Sequence, residues 1–221
     1  MSPENALVLY DYWRSTAAYR VRIALHLKGL AFEQRPVHLV RGGGEQHGED
    51  YLRLNPQALV PTLVHGERVL TQSLAICEYL DETFPDQPLL PGDAALRAEV
   101  RSMALVIAAD VHPLNNLRVQ NYLKGELGAT TGQAREWMHR WMNLGFAALE
   151  ARLAASGAGN FCVGDQPTLA DLCLVAQAYN ADRFECSFKP YPKLQRVIAH
   201  CRGLEAFDAA RPERQPDAPA A

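Results

Sequence analysis

The chain has 221 residues, 48% of them apolar and 21% charged, and a net charge of −3. A chain this long buries roughly 70–75% of its unfolded surface, enough for one large core or two small ones without staples. The near-neutral balance excludes a global attraction to nucleic acid or an anionic membrane, so any anion site must be local.

Residues 6–10 are a short apolar run and predict a first strand. Residues 17–28 predict a helix, with Ala17, Val21, Ala24 and Leu25 on one face and Gly29 at the stop position. Residues 32–37 return as a second strand, giving a right-handed βαβ unit with parallel strands. Gly42 to Gly44 lack the Lys-Ser/Thr of a phosphate loop and read as a flexible surface loop. Residues 62–65 and 68–71 predict an antiparallel hairpin, and Gln72-Ser73 opens a helix that ends near Thr83. The order β-α-β, an irregular stretch, then β-β-α is that of a thioredoxin-like fold.

Residues 85–92, rich in proline, read as a linker, and the chain beyond them is helical almost throughout. The expected division is therefore an α/β domain over residues 1–84, a linker at 85–92, an all-α domain over 93–210 and a loose tail over 211–221. Residues 94–127 form one helical stretch interrupted at Pro113, where a missing N–H and a ring clash bend or break it. In residues 133–155, Trp137, Trp141, Leu144 and Ala148 share helical spacing and read as a core stripe. Thr168 and Asp171 fit a capping box ahead of the apolar run 172–178. A last helix starts near Pro192 and stops at Gly203.

Five cysteines, at 77, 162, 173, 186 and 201, form no C-x-x-C pair and sit in apolar sequence. They read as reduced core thiols, which, with no basic-then-apolar signal at the start, points to the cytoplasm. The longest apolar run, residues 103–109, is too short to span a bilayer. The seven histidines never pair at i, i+4 with an acid, so no metal site is expected.

The chemistry-bearing positions lie in the turns. Arg14-Ser15-Thr16 stand where the first helix begins, and outward-pointing amides with a neighbouring hydroxyl stabilise an anion such as a thiolate there; plain capping by Ser15 or Thr16 is the competing use. Val60-Pro61 precedes the third strand, with the peptide bond cis or trans. Gln72-Ser73 at the next helix start suits a carboxylate, or again a cap. All three would face one crevice at the carboxyl end of a small α/β sheet.

Taken together, the Arg-Ser-x-x-x-x-Arg-x-Arg-Ile-Ala-Leu run from Arg14 to Leu25, Asn55-Pro56 with Val60-Pro61, Gln72-Ser73-Leu-Ala-Ile76 and Thr168-Leu-Ala-Asp171 resemble the zeta-class glutathione S-transferases. That class includes maleylacetoacetate and maleylpyruvate isomerases, and the resemblance spans residues 6 to 208. It implies the glutathione transferase fold, glutathione as cofactor, a small dicarboxylate keto acid as substrate, and a homodimer. In the glutathione site so implied, Val60 before a cis Pro61 pairs with the cysteinyl part. Gln72 and Ser73 hold the γ-glutamyl end, Gln46 lies near the glycyl end, and Ser15 or Thr16 supports the sulfur. The usual Ser-Ser-Cys is Ser15-Thr16-Ala17 here, so no cysteine stands at the third position.

The resemblance further implies substrate contacts by Arg14, Arg118, Arg183, His112 and Asn115; arginine's planar fork suits carboxylates. The competing uses are a solvated charge, an ion pair of Arg183 with Asp182, and satisfaction by Asn115 of backbone groups freed by Pro113. The implied reaction is cis–trans isomerisation, in which a glutathione thiolate adds to the double bond, rotation occurs about the resulting single bond, and elimination restores the thiolate. A general transferase acting on electrophiles and a non-catalytic binding module of the same fold are the alternatives.

Overall fold

In Leu7–Asp11 (β1) the side chains alternate, with Leu7, Leu9 and Asp11 buried. The computed structural model describes residues 6–219. Helix α1 (Thr16–Leu27) comes after β1 and leads to β2 (Glu33–Pro36), which runs parallel to β1. A short helix α2 (Glu49–Leu54) precedes the hairpin of β3 (Thr62–His65) and β4 (Arg68–Thr71), and α3 (Ser73–Thr83) closes the motif. The sheet order is β2-β1-β3-β4, with β3 antiparallel to both its neighbours. This βαβαββα pattern is the expected thioredoxin-like order, with α2 formed inside the stretch that reads as irregular in the sequence. Pro36 ends the edge strand β2, where a missing N–H costs no ladder bond.

The described residues form two compact units, one made of residues 6–89 with residues 204–219, the other of residues 90–203. In the helical unit α4 (Ala94–Leu105) passes into a π-helical turn over Val106–Val111 and a 3₁₀ turn over Pro113–Asn115 before α5 (Leu117–Gly125). The expected break at Pro113 thus takes the form of a widened turn, in which the His112 amide reaches back to the Ile107 carbonyl at 2.7 Å. Helix α6 (Thr131–Ser156) is succeeded by α7 (Leu169–Arg183) and α8 (Pro192–Arg202).

Twelve consecutive or near-consecutive residues of α7, from Leu169 to Ala181, are buried, so its apolar run is the core of this unit. The capping box at its start forms: Asp171, fully buried, accepts from the Thr168 amide and hydroxyl, both at 2.8 Å, and from the Cys162 amide at 2.7 Å. Helix α8 has no capping side chain of its own. Glu150 of α6 supplies the acceptors instead, taking the Lys193 and Leu194 amides at 2.9 Å each.

Two expectations are corrected. The buried stripe of α6 is Ala134, Met138, Met142, Phe146, Leu149 and Leu153, not Trp137, Trp141, Leu144 and Ala148. The stripes lie on adjoining faces of one helix; the tryptophans lie at the margin of the core, in edge contact at 5.6 Å, where the Trp137 indole N–H reaches the Leu114 carbonyl, and Leu144 is 54% exposed.

The second correction concerns the C-terminal stretch, which over its described residues 211–219 is not a loose tail; residues 220–221 lie outside the described residues. After Gly203 the chain forms α9 (Glu205–Ala209), packed on α1, and continues against the α/β unit. Gln215 is buried, donating to the Ala209 and Arg211 carbonyls and accepting from Gln34. The polar residues that suggest solvation in the sequence are hydrogen-bonded to a surface already built.

Among the described residues no helix is long and apolar enough to cross a membrane. All five cysteines are buried. Burial pushes the thiols of Cys162, Cys186 and Cys201 up, Asp171 adding to the effect at Cys162 and Cys201. The native protein is expected to resist a thiol-specific chromogenic reagent at pH 8 and to release five equivalents in urea. Because the folded state keeps protons that unfolded thiols lose near 9.0, stability falls as pH rises past that value. Urea titrations from about pH 8 to about pH 11 check this, and Cys201→Ala should make the decline shallower.

Candidate functional site

Sheet register brings the informative turns together. Asp11, the last residue of β1, pairs with Pro36 at the end of β2; Tyr10 faces Thr62 at the start of β3, and Thr62 faces Thr71 at the end of β4. The segments 12–16, 37–46, 60–61 and 72–73 therefore all meet one end of the sheet. Beneath them Tyr12, Val37, Tyr51 and Val60 form a small core with Tyr10, Trp13, Leu39 and Leu54 packed against it.

Ser15 caps α1, its Oγ accepting from the Ala18 amide at 3.2 Å. Capping and anion support are compatible: that bond uses an oxygen lone pair and leaves the hydroxyl proton to donate. Ser15 is half-buried, whereas Thr16 is buried, so Ser15 is the more accessible hydroxyl. The Arg14 guanidinium lies over the Trp13 and Tyr12 rings, at 5.2 and 5.9 Å, rather than against a carboxylate of the described residues.

The turn itself is held from behind. Arg22, fully buried, donates to Asp11 Oδ2 at 2.8 Å, the Trp13 carbonyl at 2.9 Å and the Ala210 carbonyl at 3.1 Å, while Asp217 Oδ2 accepts the Trp13 amide at 2.9 Å. Sequence reasoning missed these supports. A hint was present in Asp11 and Arg22, opposite charges just after the apolar first strand and within the first helix; Asp217, 204 residues from its partner, carries no local signal.

The Val60-Pro61 peptide is cis. Ahead of it the Leu59 carbonyl accepts from the Tyr51 hydroxyl at 2.6 Å and from Asn55 Nδ2 at 2.7 Å, which fixes the approach to β3. Neither backbone group of buried Val60 finds a hydrogen-bond partner among the described residues, so both remain open to an extended peptide.

Gln72 has φ +67°, a conformation costing a non-glycine residue about 1–3 kcal/mol, and its side chain donates to Gln57 at 2.8 Å. Neither Gln72 nor Ser73 spends its side chain on capping α3. Ser73 is buried and its Oγ accepts from Arg20 Nη1 at 3.1 Å. Gln46 is buried too, with Oε1 unpartnered and Nε2 at 3.5 Å from the Leu39 carbonyl. The glycine run that precedes it is a built turn: Gly44 has φ +105°, and a Cβ there would fall 2.4 Å from the Gln46 amide nitrogen.

In the helical unit, Asn115 is buried and donates to the Val111 carbonyl at 2.9 Å, serving the backbone loosened ahead of Pro113, while its Oδ1 is unpartnered. His112 is half-buried directly before that proline. Arg118 is exposed in the first turn of α5. Arg183, also exposed, lies over the Phe184 ring at 4.7 Å. The acid expected beside it goes elsewhere: Asp182 pairs with Arg202 at 2.6 Å, because neighbouring residues on a helix point in different directions.

Two family models match the chain: the glutathione S-transferase N-terminal domain over residues 9–88 and the C-terminal domain over residues 139–205. A probable maleylacetoacetate isomerase of Vibrio cholerae is 52% identical over 96% of this chain and 99% of its own length. Among solved structures, a holo maleyl pyruvate isomerase, described as a bacterial zeta-class glutathione S-transferase, superposes with TM-score 0.93 at 44% identity, covering 96% of this chain and 100% of that one. A maleylacetoacetate isomerase of Methylobacterium extorquens AM1 with bound malonate and GSH gives 0.92 at 42% identity, with 96% and 100% covered.

Replacing Gln72 by glycine removes the strain of its backbone. The Gln72→Gly variant is expected to gain about 1 kcal/mol of stability, seen as a higher urea midpoint, while losing affinity for glutathione.

Proposed function

The chain belongs to the glutathione S-transferase family, and on that premise we propose that it is a glutathione-dependent cis–trans isomerase of maleylacetoacetate or maleylpyruvate. The observation that carries this reading is the pairing, on one turn at the start of α1, of Ser15, a half-buried hydroxyl with its proton free, and Arg14, a cation with no carboxylate of the described residues against it.

The residues present suit glutathione: Val60 offers an unpaired amide and carbonyl, Gln46 an unpartnered Oε1, and Gln72 and Ser73 a helix start that their own side chains do not cap. Gln72 and Ser73 would hold the γ-glutamyl end, Val60 before Pro61 the cysteinyl backbone, and Gln46 the glycyl end. When bound, glutathione supplies a thiolate that adds reversibly to the carbon–carbon double bond and so permits rotation about it.

The protein's share is electrostatic. The Ser15 hydroxyl and the first amides of α1 favour sulfur as the anion and lower its pKa. Arg14 takes a substrate carboxylate and opposes negative charge as it grows on the keto oxygen. Arg118, Arg183, His112 and Asn115 are assigned to substrate binding on the family resemblance, which the malonate bound by the Methylobacterium relative supports for a dicarboxylate. Ala17, in place of the usual cysteine, leaves the reactive sulfur to glutathione.

Glutathione-dependent loss of near-ultraviolet absorbance with each substrate is the direct assay. Arg14→Ala is expected to lower kcat/KM by about 10²–10³. Ser15→Ala should raise the pKa of the bound thiol, seen in the pH dependence of thiolate absorbance. Absence of turnover on both substrates would sink the isomerase reading, and fast conjugation of chloro-nitroaromatic compounds in its place would make the protein a general transferase. The same reading makes the working unit a homodimer, for which light scattering should give about twice the 24.5 kDa chain mass.

A further inference from the structure

Arg20 is only 2% exposed, and its guanidinium carries a positive charge. Buried cations are costly unless a carboxylate or several acceptors surround them. Arg22, two residues on, meets that requirement with Asp11 and backbone carbonyls. Arg20 does not. Its Nη1 donates to the neutral Ser73 hydroxyl at 3.1 Å, and Nε and Nη2 find no acceptor among the described residues.

That arrangement has two consequences at the start of α3. The uncompensated charge adds to the positive end of the helix dipole directly behind Ser73. And because Arg20 occupies a lone pair of Ser73 Oγ, the serine proton is turned away from Arg20 and becomes a donor polarised by the cation behind it. A carboxylate resting on Ser73 would then be the counter-charge that Arg20 lacks.

We propose that Arg20 is a positioning residue for glutathione, selecting the α-carboxylate of the γ-glutamyl end through the relay Arg20 Nη1–H to Ser73 Oγ–H to carboxylate. The inference rests on the glutathione reading above and goes beyond it in assigning the charge selectivity of that end to a residue that does not touch the ligand. It also makes the ligand-free protein carry a buried cation that ligand binding neutralises.

Calorimetry with two ligands tests it: glutathione, and γ-aminobutyryl-cysteinyl-glycine, which differs only in lacking that carboxylate. The wild type is expected to prefer glutathione by about 100-fold. In Arg20→Met the preference should drop at least tenfold, affinity for the decarboxylated ligand should stay within a factor of three, and the ligand-free melting temperature should hold or rise. Arg20→Lys should restore part of the preference. Ser73→Ala should lose as much preference as Arg20→Met, with little further loss in the double variant, and it serves alone if the methionine variant does not fold. An unchanged preference in Arg20→Met or in Ser73→Ala overturns the inference and leaves the glutathione reading standing. Failure of the wild type to bind glutathione overturns both.

Discussion

The ion pair between Arg22 and Asp11 holds the α/β unit to its function. Both side chains are fully buried, and the guanidinium reaches from the end of β1 to the Trp13 carbonyl and on to Ala210. Burial keeps the Asp11 carboxyl above the usual carboxylate range although Arg22 opposes the shift. Desolvation therefore consumes much of the Coulomb attraction, and the value of the pair is positional: removing one partner costs about 3–5 kcal/mol because the other is left buried and unpaired. Arg14 and Ser15 extend from a turn whose backbone this pair and Asp217 clamp on both sides.

The functional end of the sheet combines such clamping with groups left unsatisfied. Leu59 has two donors on its carbonyl while Val60, the next residue, has no partner among the described residues on either backbone group. Gln72 is held at a positive φ, and Gln46 presents an unpartnered oxygen close to Gly44, whose positive φ disfavours any other residue. Each costs stability in the free protein and is tolerated because neighbouring bonds over-determine the conformation. On the proposed reading, a ligand with peptide groups would satisfy the open groups of Val60 and Gln46, while the strain at Gln72 is the cost of keeping that turn preformed.

What could be read from the sequence was what is encoded within a few residues. The change of period near residue 84, the hairpin before Gln72, and Thr168 with Asp171 each predict an element that the structure contains. Ser15 at a helix start is visible in the same way. Long-range pairing has no such signature: nothing around Asp217 announces that it accepts the Trp13 amide, and a Pro- and Ala-rich stretch looks solvated until a built surface is there to bind it. The buried face of α6 is ambiguous in the sequence for another reason. Adjacent stripes on a helix both satisfy a 3.6-residue period, and tryptophan, with a large apolar area and one N–H to satisfy, settles at the core margin as readily as inside it. Arg20 stood within a recognisable run, yet only its empty donors distinguish it from the equally buried Arg22 two residues on.

The return of the last residues to the first unit sets an order on biosynthesis. Translation delivers β1 and the Trp13 turn before the helical unit, and the segment bearing Ala210, Gln215 and Asp217 after it. Residues 90–203 emerge as a continuous block and can fold as they leave the ribosome. The α/β unit remains incomplete until that segment follows, with a Trp13 amide and an Arg22 donor still awaiting their acceptors. The turn that carries Arg14 and Ser15 is thus synthesised before the helical unit and locked only after it.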